Sequence, residues 1–427
     1  MKYTTVLFDL DGTLTKSEEG ITKTAIYAAE KMGFTGFTQE QFKVFIGPPL
    51  YDSFRKVVGM TDEQANRAID YYHERFERVG WAENEVYAGI PALLRSLKKN
   101  GARVAIVTAK PQIFAERIAK KFGFAPYLDD VIGPGLNNKD SSKAALVRRG
   151  VEALGGHVVM VGDRCFDIEG GQANGVDTVG VCYGYGAEEE LISAKATHIA
   201  HTVEELETIL LGDAPRARGV FISMEGMDGC GKTTQRTALT DHLKQLGWRV
   251  TVTREPGGDE VAEKIRQLVL DPANKTMCDE TEAYLYAASR AQNVRAVVRP
   301  ALERGDAVVC DRFVDSSVAY QGAGRKLGLE QVAALNAMAV GETMPDITVY
   351  LRMPADVALS RRLSASKPDR LEQEKADFFS RTYQAYEQRF AGQGKRVMTV
   401  NAAQSIEQVT QAMLDGLDER LSGLGAE

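Results

Sequence analysis

Two sets of polar residues in this chain are spaced for phosphate chemistry. The first opens at Phe8-Asp9-Leu10-Asp11-Gly12-Thr13-Leu14. Alternate residues of an extended strand share a face, so Asp9 and Asp11 lie on one side. One carboxylate can attack phosphorus while its neighbour handles the leaving-group proton. Such a cluster of anions repels a phosphate unless Mg²⁺ lies between them. Thr108 ends the run RVAIVT and can donate to a phosphate oxygen; Lys143, at a helix start in SSKAALV, can offset carboxylate charge. Asp163 ends HVVMVGD, and Asp167 follows four residues on.

The second set opens at Gly226-Met227-Asp228-Gly229-Cys230-Gly231-Lys232-Thr233, which fits G-x-x-x-x-G-K-[ST]. Its glycines let backbone N–H groups turn inward around phosphate oxygens. Lys232 can neutralise β- and γ-phosphates, and Thr233 can ligate Mg²⁺. The helix that follows adds its N-terminal dipole. Further on come Arg254 in TREPGG (253–258), Asp311-Arg312-Phe313 and Tyr320-Gln321. Two arginines beside such a loop can grip a second phosphate through bidentate hydrogen bonds.

The elements that position these residues follow from pattern. Apolar β-branched runs at 5–10, 103–108, 157–162 and 178–183 alternate with helical stretches, and the same holds for 220–225, 249–254, 307–312, 347–352 and 396–401. Runs that are apolar on both faces are parallel strands between helix layers. The expected fold class is α/β, two doubly wound parallel-sheet domains whose crevices lie at the carboxyl ends of the strands. The polar stretch GDAPRARG sets the domains at 1–212 and 219–427, with 213–218 as linker, and residues 15–80 read as a helical insertion lacking clear strands.

Composition is that of a soluble globular protein, 44% apolar and 26% charged. A net charge of −7 argues against a nucleic-acid polymer as partner. No apolar run approaches the roughly 20 residues of a membrane span. The start MKYTTVLFDLDG passes directly into a strand, and the five scattered cysteines suit a reducing compartment, so a cytoplasmic protein is expected. His73, His157, His198 and His201 show no metal-ligand spacing with those cysteines.

Over 1–212 the motif set and its order resemble the haloacid dehalogenase-like hydrolases. The resemblance implies a Rossmann-like domain with a small helical cap and a phosphatase. Asp9 would be the nucleophile that becomes an aspartyl-phosphate, Asp11 the acid and base, and Thr108 and Lys143 the phosphoryl binders. Mg²⁺ would be held by Asp9, Asp163 and the Asp11 carbonyl, with Asp167 in support. The nearest look-alikes are phosphoglycolate phosphatases and 5′-nucleotidase-like members, so the expected substrate is a small phosphate ester or nucleotide.

Over 219–420 the stretches GMDGCGKTT, TREPGG, EAYLYAASRAQ, DRFVDSSVAYQG, PDITVYL and DRLEQE resemble thymidylate kinases. This implies phosphoryl transfer from ATP to dTMP, toward dTDP synthesis. ATP would occupy the loop from Gly226 through Thr234. The dTMP phosphate would meet Arg254 and Arg312, with Asp228 at the same nucleotide and Asp311 near the metal. Tyr286 would stack on thymine, Arg290 hydrogen-bond the base, Tyr320 lie against the deoxyribose and Gln321 beside the nucleotide. A homodimer is implied as well. The lid departs from the family, because Leu363 and Ala365 stand where arginines are expected; Arg362 or Lys367 is expected to replace them. Asp259 stands where the family usually has Thr. The leading expectation is a bifunctional kinase and phosphatase. The competing expectations are a kinase whose first domain is a regulatory or assembly module, and a kinase for another nucleoside monophosphate.

Overall fold

In the computed structural model, the described residues are 1–135, 142–363, 370–371, 374 and 376–424, the side chains of 362 and 363 excepted. Met1–Ala217 with Gln245–Gly247 forms one compact unit, and Arg218–Lys244 with Trp248–Leu424 forms a second.

In the first unit the strands are β1 (Thr5–Phe8), β2 (Thr15–Lys16), β3 (Glu85–Val86), β4 (Arg103–Val107), β5 (Asp130–Ile132), β6 (Val158–Gly162), β7 (Asp177–Val181) and β8 (His198–Ala200). Six of them make a parallel sheet in the order β5-β4-β1-β6-β7-β8. β1 is central because all four of its residues are buried. The ribbon β2-β3 is antiparallel, and helices between its strands form the cap. The cap therefore begins after a short strand at Thr15–Lys16, where the sequence offered none; two residues are too few to show a period.

The cap has its own aromatic core, with Phe42, Phe45, Phe54 and Phe76 all buried. Its helices Gln39–Phe42 and Asp62–Arg78 each begin with a capping box, from Thr38 and Thr61. Residues read as linker are held by the first unit: the Asn100 side chain donates to the Pro215 carbonyl at 2.8 Å, and Ala217 N donates to Ser96 Oγ at 2.9 Å.

In the second unit the strands are β9 (Val220–Glu225), β10 (Val250–Arg254), β11 (Ala307–Asp311), β12 (Ile347–Arg352) and β13 (Val397–Asn401). They form a parallel sheet in the order β10-β11-β9-β12-β13. β9 is central and buried along its whole length. The loop after it leads straight into the helix Lys232–Gln245. No helix among the described residues is long and apolar enough to cross a membrane.

Candidate functional sites

In the first unit, the ends of β1, β4 and β6 bring the expected residues together. Asp9 follows β1 and is 8% exposed, while Asp163 and Asp167 are buried after β6. Carboxylate oxygens of all three lie within 4.8 Å of one another. Lys143 opens the helix Lys143–Leu154 and inserts its ammonium among them. Its Nζ is 2.5 Å from Asp9 Oδ1 and 2.7 Å from Asp167 Oδ1, and it donates to the Val107 carbonyl at 2.9 Å. Asp163 Oδ2 accepts from the Tyr185 amide at 2.8 Å, and Asp167 Oδ2 from the Arg164 amide at 3.0 Å.

One ammonium does not balance three buried carboxylates. Burial pushes Asp9 up to about 7, against the pull of Lys143. Burial, followed by the charges of Asp9 and Asp167, pushes Asp163 up to about 8. Lys143 itself is raised: burial works against its charge, but Asp167 and Asp9 more than reverse that. An excess of buried negative charge is what a divalent cation neutralises, so the residues fit Mg²⁺. Gly12 is required here. Its φ is +85°, and a Cβ on it would lie 2.2 Å from Asp163 Oδ2.

Asp11 stands outside the three-acid group. Its Oδ2 is 3.1 Å from Lys110 Nζ, and its Oδ1 is buried without a hydrogen-bond partner among the described residues. That orphaned oxygen suits a group that must receive or give a substrate proton. Thr108 is 1% exposed, and its hydroxyl accepts from the Lys110 amide at 3.2 Å, so its own O–H remains to donate. Lys110 was not singled out from the sequence. Its Nζ also lies 4.7 Å from the centre of the Phe76 ring on the cap helix, which makes it a cation–π link between cap and acid. The one sequence signal for it was a basic residue two positions past a strand-end threonine.

In the second unit the phosphate loop holds its own ammonium. Lys232 Nζ donates to the carbonyls of Gly226 and Met227, each at 3.0 Å, and sits 3.6 Å from Asp228 Oδ1. Arg312 follows β11 at φ +69°, an unfavourable backbone for a side-chain-bearing residue. It forms an ion pair with Asp228 and stacks 4.8 Å over the Tyr320 ring. The Tyr320 hydroxyl completes the triangle, donating to Asp228 Oδ2 at 2.9 Å. Burial alone would raise Asp228, but Arg312 and Lys232 hold it far below the usual carboxylate range.

Asp311 ends β11 and lies 3.5 Å from Arg236 on the phosphate-loop helix. Arg254 pairs with Glu263 at 3.0 Å and shares with Arg236 a cavity of about 350 Å³. Arg236 is a second cation the sequence reading passed over. Thr233 and Thr234 are exposed on the helix's first turn, and Cys230 is buried beneath the loop. Glu225, the last residue of β9, is fully buried. It accepts from the Phe313 amide at 2.8 Å and from Tyr386 Oη at 2.9 Å, and burial pushes it up to about 7.

Arg290 is 1% exposed, which its expected role did not anticipate. Nε donates to Glu255 at 2.5 Å, Nη1 to Ser317 and Asn336, and Nη2 to the Phe313 carbonyl at 3.0 Å. Four of its five N–H donors are engaged, leaving one on Nη2. Tyr286 is half-buried on the same helix. Gln321 donates to Glu282 at 2.9 Å, and its Oε1 is buried without a partner among the described residues. Asp259 has a capping role in this fold. It caps the helix Glu260–Leu270, accepting from the amides of Val261 at 3.1 Å and Ala262 at 2.9 Å, as a Thr could. Of the lid, Leu363 ends the helix Ala355–Leu363; Ala365, Lys367 and the Arg362 side chain lie outside the described residues.

A thymidylate kinase family model matches residues 224–413, and a haloacid dehalogenase-like hydrolase model matches residues 6–181. The thymidylate kinase of Pseudomonas putida is 44% identical over 208 residues, covering 48% of this chain and 99% of the relative. That of Lactobacillus delbrueckii subsp. bulgaricus is 47% identical over 198 residues, covering 46% and 93%. For the first half, a predicted phosphatase from Clostridium acetobutylicum of known crystal structure is 41% identical. It covers 49% of this chain and 99% of that one, with a TM-score of 0.47.

Proposed function

We propose, for a chain that belongs to the thymidylate kinase family and whose first half matches the haloacid dehalogenase-like hydrolases, a bifunctional enzyme. Its second unit phosphorylates dTMP to dTDP with ATP. Its first unit hydrolyses a small phosphate ester through an aspartyl-phosphate on Asp9.

The observation that carries the kinase reading is the triangle of Asp228, Arg312 and Tyr320 against the phosphate loop. It sets a strained arginine beside Lys232, where an acceptor phosphate would meet a donor phosphate. Lys232 would exchange its loop carbonyls for phosphate oxygens, and Arg312 with Arg254 would orient dTMP. Positioning and neutralisation supply most of the rate in such transfers. Mg²⁺, with Thr233 and Asp311 at hand, would neutralise charge on the transferring group.

In the first unit Asp9 attacks phosphorus, Thr108 and Lys143 hold the phosphoryl oxygens, and Asp11 gives a proton to the leaving oxygen and later takes one from water. Asp9, Asp163 and Asp167 would hold Mg²⁺, which lowers the repulsion between carboxylate and phosphate. A homodimer is part of the proposal, and light scattering tests it.

The deciding experiment follows dTDP formation and phosphate release in one reaction for the unaltered chain, Lys232→Ala and Asp9→Asn. The reading expects dTDP to vanish only with Lys232→Ala, and ester hydrolysis only with Asp9→Asn. An unaltered chain that makes no dTDP under ATP sinks the kinase assignment.

A further inference from the structure

Away from both phosphate centres, the edge of the first sheet gathers a mixed donor set. Cys182 follows β7, Glu188 opens the helix Glu188–Ser193, and His201 follows β8. Because β7 and β8 pair in parallel and the Cys182 amide donates to the Ala200 carbonyl at 2.9 Å, residues nineteen apart in sequence become neighbours. Sequence spacing did not reveal this. The sulfur, one carboxylate oxygen and one imidazole nitrogen lie within 4.8 Å of one another.

We propose that Cys182, Glu188 and His201 bind a thiophilic divalent metal ion of the zinc class, leaving a fourth position open. Zinc favours this mixture of S, N and O donors, and a tetrahedral ion sets its ligand atoms roughly 3.3–3.8 Å apart. His201 Nε2 and Glu188 Oε1 are already 3.2 Å apart. The imidazole is aimed: its Nδ1 lies 3.2 Å from Glu205 Oε2, while that same oxygen accepts from the His201 amide at 2.7 Å. A carboxylate on Nδ1 fixes the tautomer and presents Nε2 to a metal. The surroundings are negative, since carboxylates of both Glu188 and Glu205 lie 3.2 Å from the His201 ring nitrogens. On binding, the thiol proton passes to solvent and a metal–sulfur bond replaces it, with no change of oxidation state.

The test uses the full chain, stripped of metals and held in excess Mg²⁺ so that the carboxylate centre of Asp9 is filled, then titrated with Co²⁺. The expected result is a thiolate-to-cobalt charge-transfer band that saturates near one equivalent and is displaced by Zn²⁺. Cys182→Ser and His201→Ala abolish it, and Cys165→Ser keeps it. Glu205→Gln retains the three ligands and the band but weakens affinity about 10- to 100-fold. Far-UV circular dichroism verifies that each variant is folded. No band in the unaltered chain, a band that survives Cys182→Ser, or unchanged affinity in Glu205→Gln overturns the proposal and leaves a histidine between two glutamates beside a thiol.

Discussion

The two candidate centres occupy the same place in their sheets, at the carboxyl end of a buried central strand, but their charges are balanced differently. In the first unit three carboxylates crowd one lysine, and the excess negative charge drives Asp9 and Asp163 upward. In the second, each cation has a protein partner: Lys232 on loop carbonyls, Arg312 on Asp228, Arg254 on Glu263 and Arg236 on Asp311. The first centre needs a cation added. On the proposed reading the second needs partners exchanged, so its affinity for phosphate would be a difference between two sets of hydrogen bonds.

The contrast breaks most visibly at Asp9. If Asp9 is the proposed nucleophile, Asp9→Asn should lower ester hydrolysis on the order of 10⁴-fold or more and leave dTDP formation intact. Residual hydrolysis near the original rate would place the chemistry elsewhere. Lys232→Ala should lower kcat/KM for dTMP phosphorylation on the order of 10³-fold, as for loss of one preorganised charge. A loss confined to the KM of ATP would mean that Lys232 holds the ground state and the transition state equally. Arg290→Ala should destabilise the second unit by about 3–5 kcal/mol, because Glu255 would stay buried without its cation. Denaturant unfolding measures this. If stability is kept while discrimination of dTMP from dCMP falls, Arg290 serves the base and not the core.

Smaller effects sharpen the comparison. Lys110→Ala removes the partner of Asp11 and should lower ester kcat/KM about tenfold, or about 1.4 kcal/mol. Steady-state kinetics that leave this ratio unmoved would reduce Lys110 to packing under Phe76. Asp259→Ala should cost about 1 kcal/mol as a lost helix cap, and Asp259→Thr much less. Hydrogen bonds from the Ala262 amide, and then from Gln292 and Val261, depress the Asp259 carboxyl when folded. Its contribution is therefore present above the unfolded value of about 3.9 and fades as pH falls through the lower folded value. Thermal melts of the Ala variant at neutral and acid pH test that sign.

The central strands were legible because burial on both faces leaves a continuous apolar run; VFISME reads as a strand and is one, residue for residue. The edge strands Asp130–Ile132 and His198–Ala200 were not, since three residues carry too little pattern. The acids and lysine of the first centre were legible because each sits at a strand end or helix start. Lys110, Arg236 and the pair Cys182–His201 were not. Their significance lies in contacts across strands, which spacing along the chain does not encode. Arg290 shows the converse: a recognisable residue whose surroundings, Glu255 and Asn336, give most of its donors to the fold.

The placement of β1 also bears on how the chain is made. Its partners begin only at Arg103 and Val158, roughly a hundred and more residues later in the chain. At ribosomal speeds of about 5–20 residues per second, an apolar strand waits roughly 5–20 s for its first neighbour. The second unit repeats the delay, since β9 leaves the ribosome well before β11 and β12. Each nascent half thus carries an unpaired apolar segment for seconds, exposed to other chains until its parallel neighbours are made.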